Sequence, residues 1–151
     1  MANFMANKTV LLPYDFSDAS NDAIDEAFSM VDDTTKVFVL HVLNPATNVS
    51  LEGGVIVDLD PDVEEARRVS AMKVMKERIN DPLDRTFLNV RLGDPGSEIV
   101  YFAKEIDADF IIMPSHGRTG ITRLLLGSVA ERVLRLSECP VLVLRHPKAK
   151  E

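Results

Sequence analysis

The chain has 151 residues, 46% of them hydrophobic and 27% charged, with a formal net charge of −7, which describes one ordinary globular domain over residues 1–151 rather than a disordered or fibrous chain. The acidic balance argues against nucleic acid or an anionic membrane as a main partner, because both call for a basic face. No apolar run reaches membrane-spanning length, the first residues lack a signal peptide's basic start and apolar middle, and the single cysteine, Cys139, excludes an internal disulfide, so the expected home is the cytoplasm.

In chain order, Lys8 to Tyr14 is a short apolar run and a predicted strand, with Pro13 near its end. From Ser17 to Val31 apolar residues recur at three and four, a helix period, and Ser17 suits the N-cap. Lys36 to Leu43 is rich in branched and aromatic residues and reads as a strand. The stretch from Asn44 to Asp60 is long and irregular, as functional or mobile loops are, with Gly53-Gly54 as a candidate hinge. Within and beyond it, Asp58, Asp60 and Asp62 are spaced like metal ligands but lack the glycine and later glutamate of a calcium loop, so they read as a solvated acidic linker. Pro61 to Asn80 is again helical, carrying Val63, Ala66, Val69, Ala71, Met72, Met75 and Ile79, and Arg85 to Leu92 is a third strand. Asp94-Pro95 opens a helix, with aspartate as N-cap and proline in the first turn. Asp109 to Met113 is a fourth strand, Ser128 to Ser137 the last helix and Val141 to Arg145 the last strand.

Five strands alternating with four helices, the strands apolar on both faces, predict an α/β fold: a parallel sheet with helices on each side. In such sheets ligands bind at the C-terminal strand ends, where the strand order reverses. If the order is 3-2-1-4-5, strands one and four are neighbours at that reversal, and Asp15, just past strand one, then faces the loop after Met113.

That loop, Ser115-His116-Gly117-Arg118-Thr119-Gly120, holds glycines that permit positive φ and close approach of backbone N–H groups to an anion. Further on, Ser128-Val129-Ala130-Glu131 has the S-x-x-E form of a capping box, which puts Ser128 at the N-cap, with Val129, Val133, Leu134 and Leu136 on the core face. The start of that helix, beside Gly127, offers free N–H groups and the positive end of a helix dipole. Ser128 serves its own helix, a phosphate, or both.

Taken together, "LLPYDFS" at 11–17, "HVL" at 41–43, "GDPGSEI" at 93–99, "SHGRTGITRLLLGSVAERVL" at 115–134 and "CPVLVLR" at 139–145 resemble the universal stress protein family, in its order and over nearly the whole chain. The resemblance implies a three-layer α/β/α sandwich of Rossmann-like, adenine-nucleotide-binding kind, with a five-stranded parallel sheet in the order 3-2-1-4-5. One branch of the family binds ATP through G-x-x-G-x9-G-(S/T). Gly117, Gly127 and Ser128 match its second half, and the first glycine falls on Pro114. Proline has no N–H and holds φ near −65°, so neither a backbone donor nor positive φ is available there. The resemblance assigns Asp15 to the adenine–ribose end, although capping the first helix is an equal alternative. It assigns Pro13, Val42 and Met113 to the adenine wall, and His116 and Val129 to the neighbourhood of the phosphates. It also implies a homodimer built by pairing Val141 to Leu144 of two subunits.

No G-x-x-x-x-G-K-[ST] stretch, phosphate-binding lysine or catalytic dyad stands out in the sequence. The expected function is therefore an ATP-binding stress or signalling module, with slow hydrolysis at most and any magnesium or manganese carried by the nucleotide. The alternative is a nucleotide-free interaction module of the same family. His41 and His146 read as structural or exposed, and Cys139 as an inert, apolar-like residue.

Overall fold

The computed structural model describes residues 3–45, 61–81, 84–117 and 126–145. Among them, strands and helices alternate: β1 (Thr9–Pro13), α1 (Asp18–Met30), β2 (Lys36–Leu43), α2 (Pro61–Arg78), β3 (Thr86–Leu92), α3 (Pro95–Glu105), β4 (Phe110–Pro114), α4 (Ser128–Leu136) and β5 (Val141–Leu144). The five strands form one sheet in the order β3-β2-β1-β4-β5, and every neighbouring pair is parallel. This is the predicted topology.

The period-two alternation of each strand divides the core into two layers. Val10 and Leu12 of β1, with Val37 and Val39 of β2, pack against Ile24 and Ala27 of α1 and Ala71 and Met75 of α2. Leu11, Leu40, Ile111 and Met113 point the other way, against Ile99 and Phe102 of α3 and Ala130 and Val133 of α4. At the strand entrances, Asp109 ties β4 to β1: its carboxylate accepts from Thr9 N at 2.8 Å and from Lys8 Nζ at 3.0 Å. The Thr9 amide, and after it Lys8, holds the Asp109 carboxyl below its ordinary range.

Some expectations fail locally. The helix period put Val63 and Val69 on the buried face of α2, yet they are 48% and 58% exposed, and the residues of that helix that are buried, Ala71 and Met75, lie in its C-terminal half. On α4, Ala130 and Val133 are buried while Leu134 and Leu136 are exposed. A nine-residue helix that meets its neighbours over about one turn buries a narrower stripe than the period allows. Ser128 is not the N-cap either. Gly127 is, with φ −65° and ψ 155°, its carbonyl taking the Glu131 amide at 2.9 Å, and no side chain caps the helix. Of the long stretch from Asn44, only Asn44 and Pro45 are described; Gly53-Gly54, Asp58, Asp60, Arg118, Gly120 and His146 lie outside the described residues. Among the described residues, no helix is long and apolar enough to cross a membrane.

Candidate functional site

Where the strand order reverses, two prolines stand at the exits of adjacent strands. The β1–β4 ladder ends at Leu11 paired with Ile111. Away from that seam, β1 continues against β2 to Pro13 beside Leu40, and β4 continues against β5 to Pro114 beside Leu144. Neither proline has an N–H to give, and the two central strands part beyond their last shared pair. Pro114 is thus the last residue of β4 itself, not a residue following it. The sheet loses little there, because the next amide, Ser115 N, donates to Leu144 O at 2.8 Å.

The parting strands open a crevice of about 520 Å³, within the usual range for a small-molecule site. Pro13, Asp15, Val42, Met113, Pro114, His116, Gly117, Gly127, Ser128 and Val129 all line it. Its lining combines apolar side chains, Pro13, Leu40, Val42, Met113 and Ile99, with Asp15, His116 and the start of α4.

Asp15 is fixed by the start of α1. Its Oδ1 accepts from Ser17 N at 3.0 Å and from the Ser17 and Ser20 hydroxyls, and its amide donates to Ser20 Oγ at 3.1 Å. The capping expected of Asp15 holds, and its Oδ2 end reaches the opposite loop, against the place a Cβ on Gly117 would take. A side chain at position 117 would therefore have to displace the Asp15 carboxylate. It is absent from the residues of positive φ, contrary to the backbone freedom expected of it. Phe16, between Asp15 and Ser17, does take a left-handed φ of 65°, which is unusual for an aromatic residue. Its ring packs on Tyr14 and His41, with centroids 4.9 and 4.5 Å away. Burial pushes the Tyr14 phenol up, with Arg78 opposing, so it remains a donor to Asn21 Oδ1 at 2.7 Å. His41 is buried, 9% exposed, with Nδ1 2.7 Å from Tyr14 O, and it also lines the crevice, which the sequence reading of it as structural or exposed did not anticipate.

Opposite, Gly127 seats α4 on the loop. Its amide donates to Ser115 O at 2.7 Å, and an added Cβ would lie 3.1 Å from His116 Cα and 3.3 Å from Ser115 O. Among the described residues no side chain caps the helix start, and Ser128, Val129 and Ala130, whose first-turn amides have no acceptor within the helix, line the crevice. Such an end favours an anion by about 0.3–1 kcal/mol, rising to about 2 when partly buried.

Ser20, Asn44, Pro95 and Ile99 also line the crevice and were not singled out from the sequence. Pro95 was legible in principle, since the Asp94-Pro95 helix start follows directly on the end of β3. Asp94 caps α3 through Ser97 N at 2.9 Å, and that amide leads the interactions that lower its carboxyl below the ordinary range. Among the described residues, no group of three or more histidine, cysteine or acidic side chains could hold a metal.

Comparison with known proteins bears on this architecture. Residues 6–145 match the model of the universal stress protein family. The universal stress protein MJ0531 of Methanocaldococcus jannaschii is 33% identical over 142 residues, covering 93% of this chain and 84% of that protein. A second protein of that organism, MJ0577, is 34% identical over 156 residues, covering 92% of this chain and 95% of its own length. The solved structure of MJ0577 aligns with a TM-score of 0.74 at 30% identity, over 95% of this chain and 99% of the other. A universal stress protein solved in complex with cAMP shares the fold, with a TM-score of 0.63 at 23% identity, over 93% and 98% of the two chains.

Proposed function

The chain belongs to the universal stress protein family, and we propose that its crevice binds an adenine nucleotide, ATP foremost, as the signal of a dimeric stress-response module. The carrying observation is the start of α4, without a side-chain cap, bordering a crevice that is also lined by apolar residues. An apolar lining beside first-turn amides that have no acceptor within the helix suits a ligand with a flat base at one end and phosphates at the other. The base packs against Pro13, Val42 and Met113. Asp15 serves the ribose end, and Gly117, Gly127, Ser128 and Val129 take the phosphates with His116. A divalent ion, magnesium or manganese, enters on the nucleotide. Pro114 lends its ring to the wall and no donor to the phosphates.

The test is mass spectrometry of small molecules released from the gently purified protein, with calorimetry of ATP–magnesium on the emptied protein. Because a fold neighbour was solved with cAMP, cAMP is titrated alongside. Micromolar binding is expected, and Gly127→Val should abolish it while the protein stays folded, because the added side chain meets the backbone of His116 and Ser115. No released nucleotide and no heat up to millimolar ligand would instead favour a nucleotide-free interaction module, with Pro114 as the residue that closes the motif.

A further inference from the structure

Ser115 joins three elements. Its amide donates to Leu144 O at the end of β5, and its carbonyl accepts from Gly127 N at the start of α4. Its hydroxyl lies 3.0 Å from Nδ1 of His116. With both backbone groups committed, the hydroxyl orients the neighbouring ring. His116 is held from the other side too, since the start of α4 packs on its Cα. Its half-buried side chain lines the crevice.

A serine hydroxyl beside a ring nitrogen donates or accepts, and the two arrangements give the histidine opposite chemistry. When Ser115 Oγ–H donates to Nδ1, the proton of the neutral ring sits on Nε2, and the ring has an N–H to offer an anion. When Nδ1–H donates to Oγ, Nε2 carries a lone pair that repels one. We infer that Ser115 is a positioning residue that holds neutral His116 as the Nε2–H tautomer, so that the histidine presents a donor to the ligand's phosphates without needing a positive charge. The inference rests on the nucleotide reading of the crevice. His41 supplies an internal contrast: its Nδ1 faces the Tyr14 carbonyl, which only accepts, so there Nδ1 carries the proton.

Two-bond proton–nitrogen spectra of the imidazoles, taken at a pH where the rings are neutral, read both tautomers. Peaks are assigned by their loss in His116→Gln and His41→Gln. Wild type should show Nε2–H for His116 and Nδ1–H for His41. Ser115→Ala should turn His116 into a mixture while His41 stays put, and Ser115→Thr, which keeps the hydroxyl, should restore the wild-type pattern. ATP–magnesium affinity should fall about 3- to 10-fold in Ser115→Ala, the range of one hydrogen bond, and recover in Ser115→Thr. A proton on Nδ1 of wild-type His116, a tautomer unmoved by Ser115→Ala, or an affinity unmoved by it where wild type binds would each overturn the inference. The expected tautomers in a wild-type protein that binds no nucleotide would support the Ser115 assignment and overturn the nucleotide reading.

Discussion

Gly117 and Asp15 show how one residue's smallness depends on another's placement. Three hydrogen bonds to one carboxylate oxygen fix Asp15, so its other oxygen does not swing aside freely for a methyl group on Gly117. Gly117→Ala should destabilise the protein by about 1–3 kcal/mol through overpacking. In an Asp15→Ala background the same substitution should cost less, by at least about 0.5 kcal/mol. Urea unfolding of the four proteins closes the cycle, and equal costs in both backgrounds would show that the clash lies elsewhere. The sequence placed both residues at the crevice, because a strand-end aspartate and a loop glycine after an apolar run have recognisable positions. It gave the wrong reason for Gly117, because a contact with Asp15, far away in the sequence, leaves no local signature, whereas positive φ is what a glycine ordinarily signals.

Helix starts are the elements on which the site depends, and two of them contrast. At α3, Asp94 caps the helix with its own side chain; at α4, Gly127 leaves the first amides uncapped. Asp94→Ala should lower stability by about 1 kcal/mol, as loss of an N-cap does. Ser128→Ala should stay within about 0.5 kcal/mol of wild type and yet weaken ATP–magnesium binding. Thermal unfolding and calorimetry on the two variants measure both effects, and a Ser128→Ala protein as destabilised as Asp94→Ala would restore serine to the cap. The S-x-x-E pattern misled here because Ser128 comes one residue too late: the backbone of Gly127, pinned by Ser115, already starts the helix. For Asp94 the same reasoning succeeded, since the following proline fixes where the first turn begins.

At the scale of the molecule, a parallel sheet covered by helices was legible because buried parallel strands read as continuous apolar runs, and right-handed crossovers left few topologies; the order itself came from the resemblance to the family. What the runs left undecided is the fate of the edges. β5 ends the sheet with Leu142 37% exposed, and α4, which leads into it, leaves Leu134 and Leu136 exposed at 44% and 45%. An apolar edge strand of this kind invites pairing with another strand unless it is covered. A second copy of the chain offers the same edge, so an isologous antiparallel contact through Val141 to Leu144 satisfies both at once. The wild-type protein should therefore sediment at about twice its 16.8 kDa chain mass, and Leu142→Lys, a charge placed on the edge, should return it to the single-chain mass. The variant should still unfold cooperatively, because Leu142 is not part of either core layer. A wild-type protein that sediments at the single-chain mass at micromolar concentration would refute the pairing, leaving the edge to be covered by the chain's own residues.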